Sequence, residues 1–567
     1  MNQLLFIVFN LAFFLLGRGL VLITSKAVTD KKNIDKIEIF GLPIYIFYPL
    51  FSIIFLGNIV FVLNFFFAIE AVLIPIFLLV ALITSINLIN RPTTQNFKLK
   101  TSTFLLIPIL LSVSSYGIWL GWDTGLYHLQ TQAWIRESNL VIGLSNLNVW
   151  LGWSSIYEYL SSLFWLDGNY VLIHFIKIAI YNFLYVFLLH NILFNKNAYL
   201  KLSSLGILLF SLLDNVGYLG GANGFPTILT VGKFDEIVGI FLFITSILFL
   251  CSIFEKSYKL EEFVVLVYLS LFCFQLKQNG VTVIFPLMIY IFGYIKKNNI
   301  SFIYLIKSVK LPIGLGFLWI IKNILVTSCV VYPISFTCFN FVDWYAIDSN
   351  YAAEGWIVKS PISLNSDEAI SQQLSSWLNQ SKYGQYAYNF VFSVIIIFIT
   401  NKILLRNNKM GLTFGRNQII ALSYILFLLS FWFISNGANP RYGFGIWLLL
   451  ISLFYIRYED IEIKPFISSY IGMIALTSIL ISAALLPRVY SYEAFLESPM
   501  NLSQIGLPWE DVNPSFAGIT ETIYLDSVYG FEVFSNNGLC WNLALCHHID
   551  KEIVFIENKF FSKFIIP

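Results

Sequence analysis

The chain has 567 residues and a mass of 65.0 kDa; 58% of its residues are hydrophobic and only 12% are charged. Soluble globular proteins have about 45–50% apolar and about 25% charged residues, so this composition excludes a soluble enzyme and a secreted disulfide scaffold. The formal net charge of +2 excludes a basic protein that wraps nucleic acid, and we expect no nucleic-acid partner. Because apolar stretches of transmembrane length recur along the chain, the sequence predicts an all-α polytopic membrane protein.

About 14 apolar segments are candidate transmembrane helices, of which 202–213 and 263–276 are short. They predict a polytopic transmembrane domain of residues 1–486 and a C-terminal cap of residues 487–567. The segments lie near residues 3–24, 39–61, 69–90, 102–121, 169–194, 202–213, 237–254, 263–276, 281–295, 311–331, 386–401, 417–435, 442–456 and 465–486.

The loops between these segments alternate in charge. Most of the 34 Lys and Arg residues lie in every second loop, including 25–38, 255–262 and 295–310, whereas most acidic residues lie in the other loops and in the tail. Cytoplasmic loops of membrane proteins are enriched in Lys and Arg. We therefore expect a multi-pass plasma (inner) membrane protein whose large loops 122–168 and 332–385, and whose tail, are extracytoplasmic.

Four of the six cysteines form two close pairs on the side predicted to be extracytoplasmic. Cys329 and Cys338 are nine residues apart near the tenth segment, and Cys540 and Cys546 lie in the tail. Since oxidising compartments permit disulfides, we expect both pairs to be bridged. A cytosolic metal site of four cysteines is the alternative, and it would require the inverted orientation.

Asp123 follows the fourth segment at the predicted exit from the membrane. A surface helix that starts here would carry aromatic and polar residues near the carboxylate: Tyr127, Gln130 and Trp134 on the same face, with His128 and Arg136 beside it. A partly shielded carboxylate is a candidate general base. An Asp that caps the helix beginning at Thr124 is the other interpretation.

The same loop continues with Asn146 and with a run of Trp, Ser and Gly over residues 150–155. Aromatic faces stack on sugar rings and amides bind hydroxyl groups, so this composition suits a carbohydrate. An interfacial aromatic belt with polar turns is the alternative.

Further candidates follow in later loops. Lys233 and Asp235 stand at the start of the seventh segment, where Lys233 could meet a phosphate or pair with Asp235 or Glu236. Arg441 is the basic residue of a six-residue outer turn and is a candidate anchor for a phosphate headgroup; snorkelling is the alternative. Lys322 lies inside the tenth segment, and a charge there is costly in lipid, so we expect it to face an internal polar cavity.

These motifs resemble the GT-C class of integral-membrane glycosyltransferases. The resemblance rests on the outer acidic residue Asp123 followed by Tyr127, on Asp235 at the mouth of a later helix, and on three longer segments: 122–128 through 146–147, 319–333 with the Cys329–Cys338 pair, and 439–442. The tail piece at 540–542 with Cys546 matches as well. Several bacterial multi-pass proteins of unproven function share these segments.

The resemblance implies a GT-C-like fold and transfer of a sugar from a polyprenyl-linked donor to a glycan, lipid or protein acceptor, with inversion. It implies that Asp123 deprotonates the acceptor and that the substrate-binding residues are Tyr127, His128, Asn146, Lys233, Asp235, Lys322 and Arg441. In this chain the acidic loop follows the fourth segment rather than the first, and one carboxylate stands where GT-C enzymes have an adjacent acidic pair. Whether the reaction needs a divalent cation is therefore left open.

Two other classes of function remain as alternatives. A lipid-linked polysaccharide polymerase or ligase would use outer-loop arginines, of which Arg136 and Arg441 are available in the central loops. A lipid or oligosaccharide transporter would need buried charges within spans, for which Arg18, Lys177 and Lys322 qualify. In the tail, the apolar runs at 522–525 and 553–556 have the length of strands, which indicates a small disulfide-tied cap.

Overall fold

The computed structural model of the chain describes residues 2–25, 37–69, 105–116, 118–120, 123–165, 170–195, 197–216, 228–256, 258–345, 370–379, 388, 390–399, 415–436, 440–453 and 455, and short strands between residues 523 and 566.

Helices form most of the described structure. In chain order they are α1 Asn2–Ser25, α2 Tyr48–Asn64, α3 Ile107–Ser112, α4 Leu129–Glu137, α5 Ile156–Ser162, α6 Val171–Phe194, α7 Ala198–Val216, α8 Asp235–Glu255, α9 Leu260–Leu276, α10 Ile284–Asn298, α11 Phe302–Ser308, α12 Lys310–Thr327, α13 Ile370–Asn379, α14 Phe390–Ile399, α15 Arg416–Asn436 and α16 Phe444–Leu453.

The strands are short and pair in small sheets. They are β1 Glu38–Ile39, β2 Leu42–Pro43, β3 Trp119–Leu120, β4 Thr230–Val231, β5 Ile523–Val528, β6 Phe531–Ser535, β7 Cys546–His547, β8 Val554–Ile556 and β9 Phe564–Ile566. β1 and β2 form a hairpin, and β3 pairs in parallel with β4. In the tail, β5–β6–β7 form one sheet and β8–β9 another, so strands do form at the two apolar runs that predicted them. The backbone of β9 approaches the turn Leu144–Asn146.

Six described helical segments are long and apolar enough to cross a membrane: Gln3–Leu22, Ile44–Asn64, Val171–Phe194, Asp235–Glu255, Gln278–Asn298 and Lys310–Thr327. Shorter apolar helices lie at Ala198–Ser211, Phe390–Ile399, Gln418–Phe433 and Phe444–Leu453. The protein is therefore a helical membrane protein, whereas the predicted number of about 14 spans is not established. Residues 70–90 of the third predicted span and all of 465–486 lie outside the described residues.

The predicted span near 102–121 is not one continuous helix. α3 has six residues and is followed by a 3₁₀ turn at Val113–Tyr116 and by β3. The hydroxyl groups of Ser114 and Ser115 donate to the carbonyls of Leu111 and Ser112, both at 2.6 Å. Serine hydroxyls that bond the backbone in this way compete with the helical hydrogen bonds, which accounts for the early end of α3.

The helices differ in how deeply they are buried. The apolar window of α6 is wholly buried and that of α8 almost wholly, so these two helices form the centre of the bundle. By contrast, only one third of the windows containing α10 and α12 is buried. Large apolar side chains such as Phe292 and Phe317 are exposed there, as expected for helices that face lipid.

The bundle has two ends, which we name after one residue at each. At the Asp123 end, β3 pairs with β4, α8 begins and α9 ends. At the Lys259 end, α8 ends and α9 begins, and the backbone N–H of Phe40 in the β1–β2 hairpin donates to Glu262 Oε1 at 3.0 Å. Loop 255–262 lies at the Lys259 end and is joined there to the end of α10, because Lys297 Nζ donates to the carbonyl of Lys256 at 2.5 Å.

Candidate functional site

Asp123 lies between β3 and a π-helical turn, Thr124–His128. Its carboxylate does not cap that turn, so the capping interpretation is wrong. Instead, Asp123 Oδ2 lies 3.8 Å from Lys233 Nζ, and the two side chains are 24% and 21% exposed. A carboxylate that is shielded but still reachable from solvent can exchange a proton with a bound hydroxyl group.

The neighbouring strands hold Lys233 next to Asp123. The hydroxyl of Thr124 donates to the carbonyl of Val231 in β4 at 2.7 Å. The next residue, Gly232, has φ +79°, and a Cβ there would lie 2.5 Å from Thr124 Cγ2. A residue without a side chain is therefore required at this close approach, and Lys233 follows directly after it.

The helix after the π-helical turn differs from the surface helix that the sequence predicted. Gln130 and Trp134 in α4 are buried, whereas Asp123 and Tyr127 are partly exposed. A π-helical turn bonds i to i+5, so it shifts the residues that follow relative to the predicted face. The ring of Tyr127 instead stacks with that of Trp150 at 6.0 Å between centroids, and Trp150 contacts Trp153 at 4.7 Å.

A second ion pair flanks the start of α8. Lys277, the residue after α9, donates to Asp235 Oδ1 at 2.9 Å, and its Nζ lies 3.8 Å from the ring centroid of Tyr442. The Lys277 side chain is 31% exposed and that of Asp235 is 9% exposed. These residues line a small, partly open cleft together with Val238, Gly239, Leu242, Cys273, Asn279 and Gly280.

A third pair is buried beneath the other two. Lys177 in α6 forms an ion pair with Glu236 in α8, and both side chains are almost fully inaccessible. Lys177 Nζ also donates to the carbonyl of Thr230 at 2.5 Å, which ties α6 to β4. The structure pairs Lys233 with Asp123, and it pairs Asp235 and Glu236 each with a lysine from another element. A contact of Lys233 with Asp235 or Glu236 stays a prediction.

His128 is one of three predicted substrate-binding residues that the structure places inside the protein, with Asn146 and Lys322. It is buried, and its Nδ1 lies 2.7 Å from Glu158 Oε1. Glu158 Oε2 in turn accepts from the backbone N–H of Ser155 at 2.7 Å, which closes a capping box at the start of α5. His128 thus positions the Asp123 segment against α5. The sequence prediction did not include Glu158, the buried carboxylate that His128 contacts.

Asn146 is the second. Its side chain is buried and donates to the carbonyl of Trp344 at 3.0 Å, while Trp344 Nε1 donates to the carbonyl of Ile324 in α12 at 3.0 Å. Asn146 therefore joins loop 122–168 to loop 332–385, and its contact with a ligand stays a prediction.

Lys322 is fully buried, as the sequence predicted for a charge within a span. Its Nζ contacts Ser154 Oγ, donates to Asn323 Oδ1 at 3.2 Å and lies 4.3 Å from the ring centroid of Trp319. These contacts join α12 to the loop that carries Trp150 and Trp153, and they do not include Asp123 or Lys233.

The cysteine prediction is confirmed for one pair: Cys329 and Cys338 form a disulfide. Cys540 lies outside the described residues, so its pairing with Cys546 stays a prediction. Arg441 lies in the 3₁₀ turn Pro440–Gly443, and its side chain is outside the description. Within the described part of the chain, His, Cys, Asp and Glu form no group of three that could hold a metal ion.

Burial separates Asp123 from a nearby tyrosine that could compete as a base. Burial, with the carboxylate of Glu236 as a smaller contribution, raises the pKa of Tyr157 well above its ordinary value. Tyr157 therefore stays protonated at neutral pH.

These observations define a polytopic helical membrane protein with alternating acidic and basic side chains at one end of its bundle. A family described as a domain of unknown function (DUF8201) matches residues 1–448, and the chain belongs to this family. No curated protein matches the chain. No solved structure matches it either.

Sequence reasoning missed Lys277 and Tyr442 as part of the site. A signal for Lys277 was present, because it is an isolated basic residue in a short segment, 277–280, on the side otherwise poor in Lys and Arg. Tyr442 stands next to the predicted Arg441. Glu158 carries no comparable signal, since its capping role depends on the start of α5.

Proposed function

We propose that this protein is a membrane glycosyltransferase of the GT-C type. It transfers a sugar from a polyprenyl-phosphate-type donor to an acceptor at the extracytoplasmic face of the plasma (inner) membrane. The observation that carries the proposal is the partly exposed Asp123 carboxylate, 3.8 Å from Lys233 Nζ at one end of a membrane-helix bundle.

In the proposed reaction, Asp123 takes the proton of an acceptor hydroxyl group. The oxygen then attacks the anomeric carbon from the face opposite the phosphate, so that a new C–O bond forms, the C–O bond to the phosphate breaks and the configuration inverts. The electron pair leaves with the phosphate, and the positive charge of Lys233 stabilises it, together with Arg441 in the neighbouring turn. Fixed charges aimed at a leaving group are an effective form of catalysis.

Two observations support an extracytoplasmic position for the Asp123 end. Lys256 and Lys259 of loop 255–262 and Lys296 and Lys297 at the end of α10 lie at the opposite end, and Lys and Arg are enriched in cytoplasmic loops. The Cys329–Cys338 disulfide lies beside the loop that packs on the end of α12, and disulfides persist in oxidising compartments.

Labelling with a membrane-impermeant maleimide tests this orientation in intact cells. Asp343→Cys and Lys259→Cys place exposed thiols at the two ends, while Cys251 and Cys273 are buried. We expect Asp343→Cys to react in intact cells and Lys259→Cys only after permeabilisation. The reverse pattern would place Asp123 in the cytoplasm and contradict the proposal.

Transfer of radiolabelled sugar from a panel of polyprenyl-phosphate sugars by the purified full-length protein tests the activity. Asp123→Asn keeps the shape of the side chain and removes its basicity, so we expect transfer to fall about 10²- to 10⁴-fold. Asp343→Asn is the matched control, because Asp343 is an exposed aspartate in loop 332–385. The control should retain wild-type transfer.

Two results would contradict the proposal: a folded wild-type protein that uses no donor in the panel, or an Asp123→Asn protein that is as active as the control. The same preparation in liposomes distinguishes a transporter, which would move lipid-linked sugar with no new glycosidic bond. The polymerase or ligase alternative would use outer-loop arginines such as Arg136. It has less support, because Arg136 contacts the protein itself: it donates to the carbonyl of Ser162 at 2.9 Å and lies 5.4 Å from the centroid of the Trp165 ring.

A further inference from the structure

The cleft next to Asp235 combines a polar mouth with apolar walls. Asp235, Lys277 and Tyr442 stand together at the start of α8 and the end of α9, and the remaining lining includes Val238 and Leu242 one helical turn apart on α8. The cleft opens to solvent at the end of a bundle whose helices are apolar enough to span a membrane. It therefore suits a ligand with a charged group and an adjoining apolar part.

Lys277 supplies the positive charge of this cleft. Its ammonium group has three N–H donors; one of them serves Asp235, and the face of the Tyr442 ring lies on another side. With 31% of its side chain exposed, Lys277 can be reached by a ligand. Lys177 provides the contrast, because it is fully buried between Glu236 and the carbonyl of Thr230.

We propose that this cleft binds a phosphate group through Lys277, which exchanges the carboxylate of Asp235 for the phosphate. A phosphate monoester, such as the polyprenyl phosphate that leaves the sugar, carries more negative charge than a carboxylate and offers more acceptor oxygens. It therefore competes for the ammonium group, while the cation–π contact with Tyr442 keeps Lys277 in place during the exchange.

The phosphate could belong to a lipid or be free in solution. The apolar walls and the position at the end of the membrane helices favour the phosphate of a lipid. This inference deepens the proposed function and rests on it for the view that the lipid is the sugar donor. It adds Lys277 as a phosphate-binding residue. Phosphate binding can be measured without sugar transfer, so the two proposals are tested separately.

The test is binding of radiolabelled farnesyl phosphate to the purified full-length protein in detergent, by scintillation proximity. Lys277→Gln should weaken binding about tenfold or more, the effect of losing a charge-assisted hydrogen bond. Lys277→Arg should stay within about threefold of wild type, since the charge is kept. Asp235→Asn should bind more tightly than wild type, because the competing carboxylate is gone.

Lys259→Gln is the matched control. Lys259 precedes α9 as Lys277 follows it, and it also pairs with a carboxylate, that of Glu262 at 3.5 Å. Its removal should leave binding unchanged. The inference is overturned if Lys277→Gln binds like this control, or if Asp235→Asn weakens binding as Lys277→Gln does, since the pair would then only hold the cleft together.

Competition identifies the source of the phosphate. Farnesol should not displace the label, and inorganic phosphate should displace it only at much higher concentration than unlabelled farnesyl phosphate. Equal displacement by inorganic phosphate would support the phosphate site with free phosphate as its ligand. A protein that binds farnesyl phosphate through Lys277 but transfers no sugar would refute the proposed function alone, whereas an active enzyme whose Lys277→Gln variant binds normally would refute this inference alone.

Discussion

The two ends of the helix bundle hold ion pairs of different kinds. Three pairs at the Asp123 end join residues from different elements: Asp123–Lys233, Asp235–Lys277 and Glu236–Lys177. At the Lys259 end, Lys259 pairs with Glu262 three residues further along the chain, and the lysine side chain is 54% exposed. The Glu262 side chain is only 2% exposed and also accepts from the backbone N–H of Phe40. Both ends thus use carboxylates to connect distant segments, and they differ in the exposure of the lysines: Lys259 lies mostly in solvent, whereas Lys177 is fully buried.

This difference has energetic and functional consequences. Because Lys259 is exposed, water screens its attraction to Glu262, and we expect the lysine to contribute about 0–1 kcal/mol to stability. A buried pair such as Lys177–Glu236 is costly to break, because the remaining charge has no water to solvate it. The pairs Asp123–Lys233 and Asp235–Lys277 lie between these limits. Their partners come from different elements, but each lysine is partly exposed and can be reached by a ligand.

Breaking the buried pair should have the largest effect on stability. Lys177→Met leaves the Glu236 carboxylate buried without its lysine, and we expect the free energy of unfolding to fall by about 3–5 kcal/mol. Denaturant unfolding of the detergent-solubilised protein, followed by circular dichroism, measures this change.

Two further variants sharpen the comparison between the ends. Lys259→Met removes the exposed lysine and should cost at most about 1 kcal/mol. Lys177→Met combined with Glu236→Leu removes both buried charges, so it should recover most of the stability lost in the single variant. If Lys177→Met is no less stable than Lys259→Met, the distinction between the two ends is wrong.

The sequence predicted the class of fold well, but it did not predict where a helix is interrupted. Apolar length alone predicted helices such as α6 and α8, because a membrane-spanning segment satisfies its backbone hydrogen bonds internally. It failed at residues 102–121, where serine hydroxyls bond the backbone and end α3 after six residues. Composition over a window does not reveal such local competition.

For the candidate site, the sequence identified residues better than partners. The Cys329–Cys338 disulfide was predicted because the two residues are close in the chain on the side expected to be extracytoplasmic. Lys322 was predicted to face an internal polar cavity because a charge in a span is costly in lipid, and its side chain is buried. The contact of Lys233 with Asp123 was missed, since nothing local indicates that β3 pairs with β4. The contacts of His128 with Glu158 and of Asn146 with Trp344 were missed in the same way, because they also join distant segments.

A substitution at Gly232 tests the link between that strand pairing and the site, with a smaller expected effect. Gly232→Ala places a Cβ 2.5 Å from Thr124 Cγ2 at φ +79°, so we expect a loss of about 1–3 kcal/mol in unfolding free energy. Sugar transfer should fall further than stability accounts for, because relief of the clash moves Lys233 away from Asp123. Unfolding and transfer are measured on the same preparation.

The control for this substitution is Gly314→Ala in α12, where a new Cβ would meet nothing within 4 Å. Alanine favours helix over glycine, so Gly314→Ala should be neutral or slightly stabilising and fully active. Thr124→Ser removes the clashing methyl group but keeps the hydroxyl that donates to Val231. Combined with Gly232→Ala, it should restore part of the stability and most of the transfer, because only the backbone strain remains. A Gly232→Ala protein with wild-type transfer would show that the Asp123–Lys233 spacing is not set by this contact.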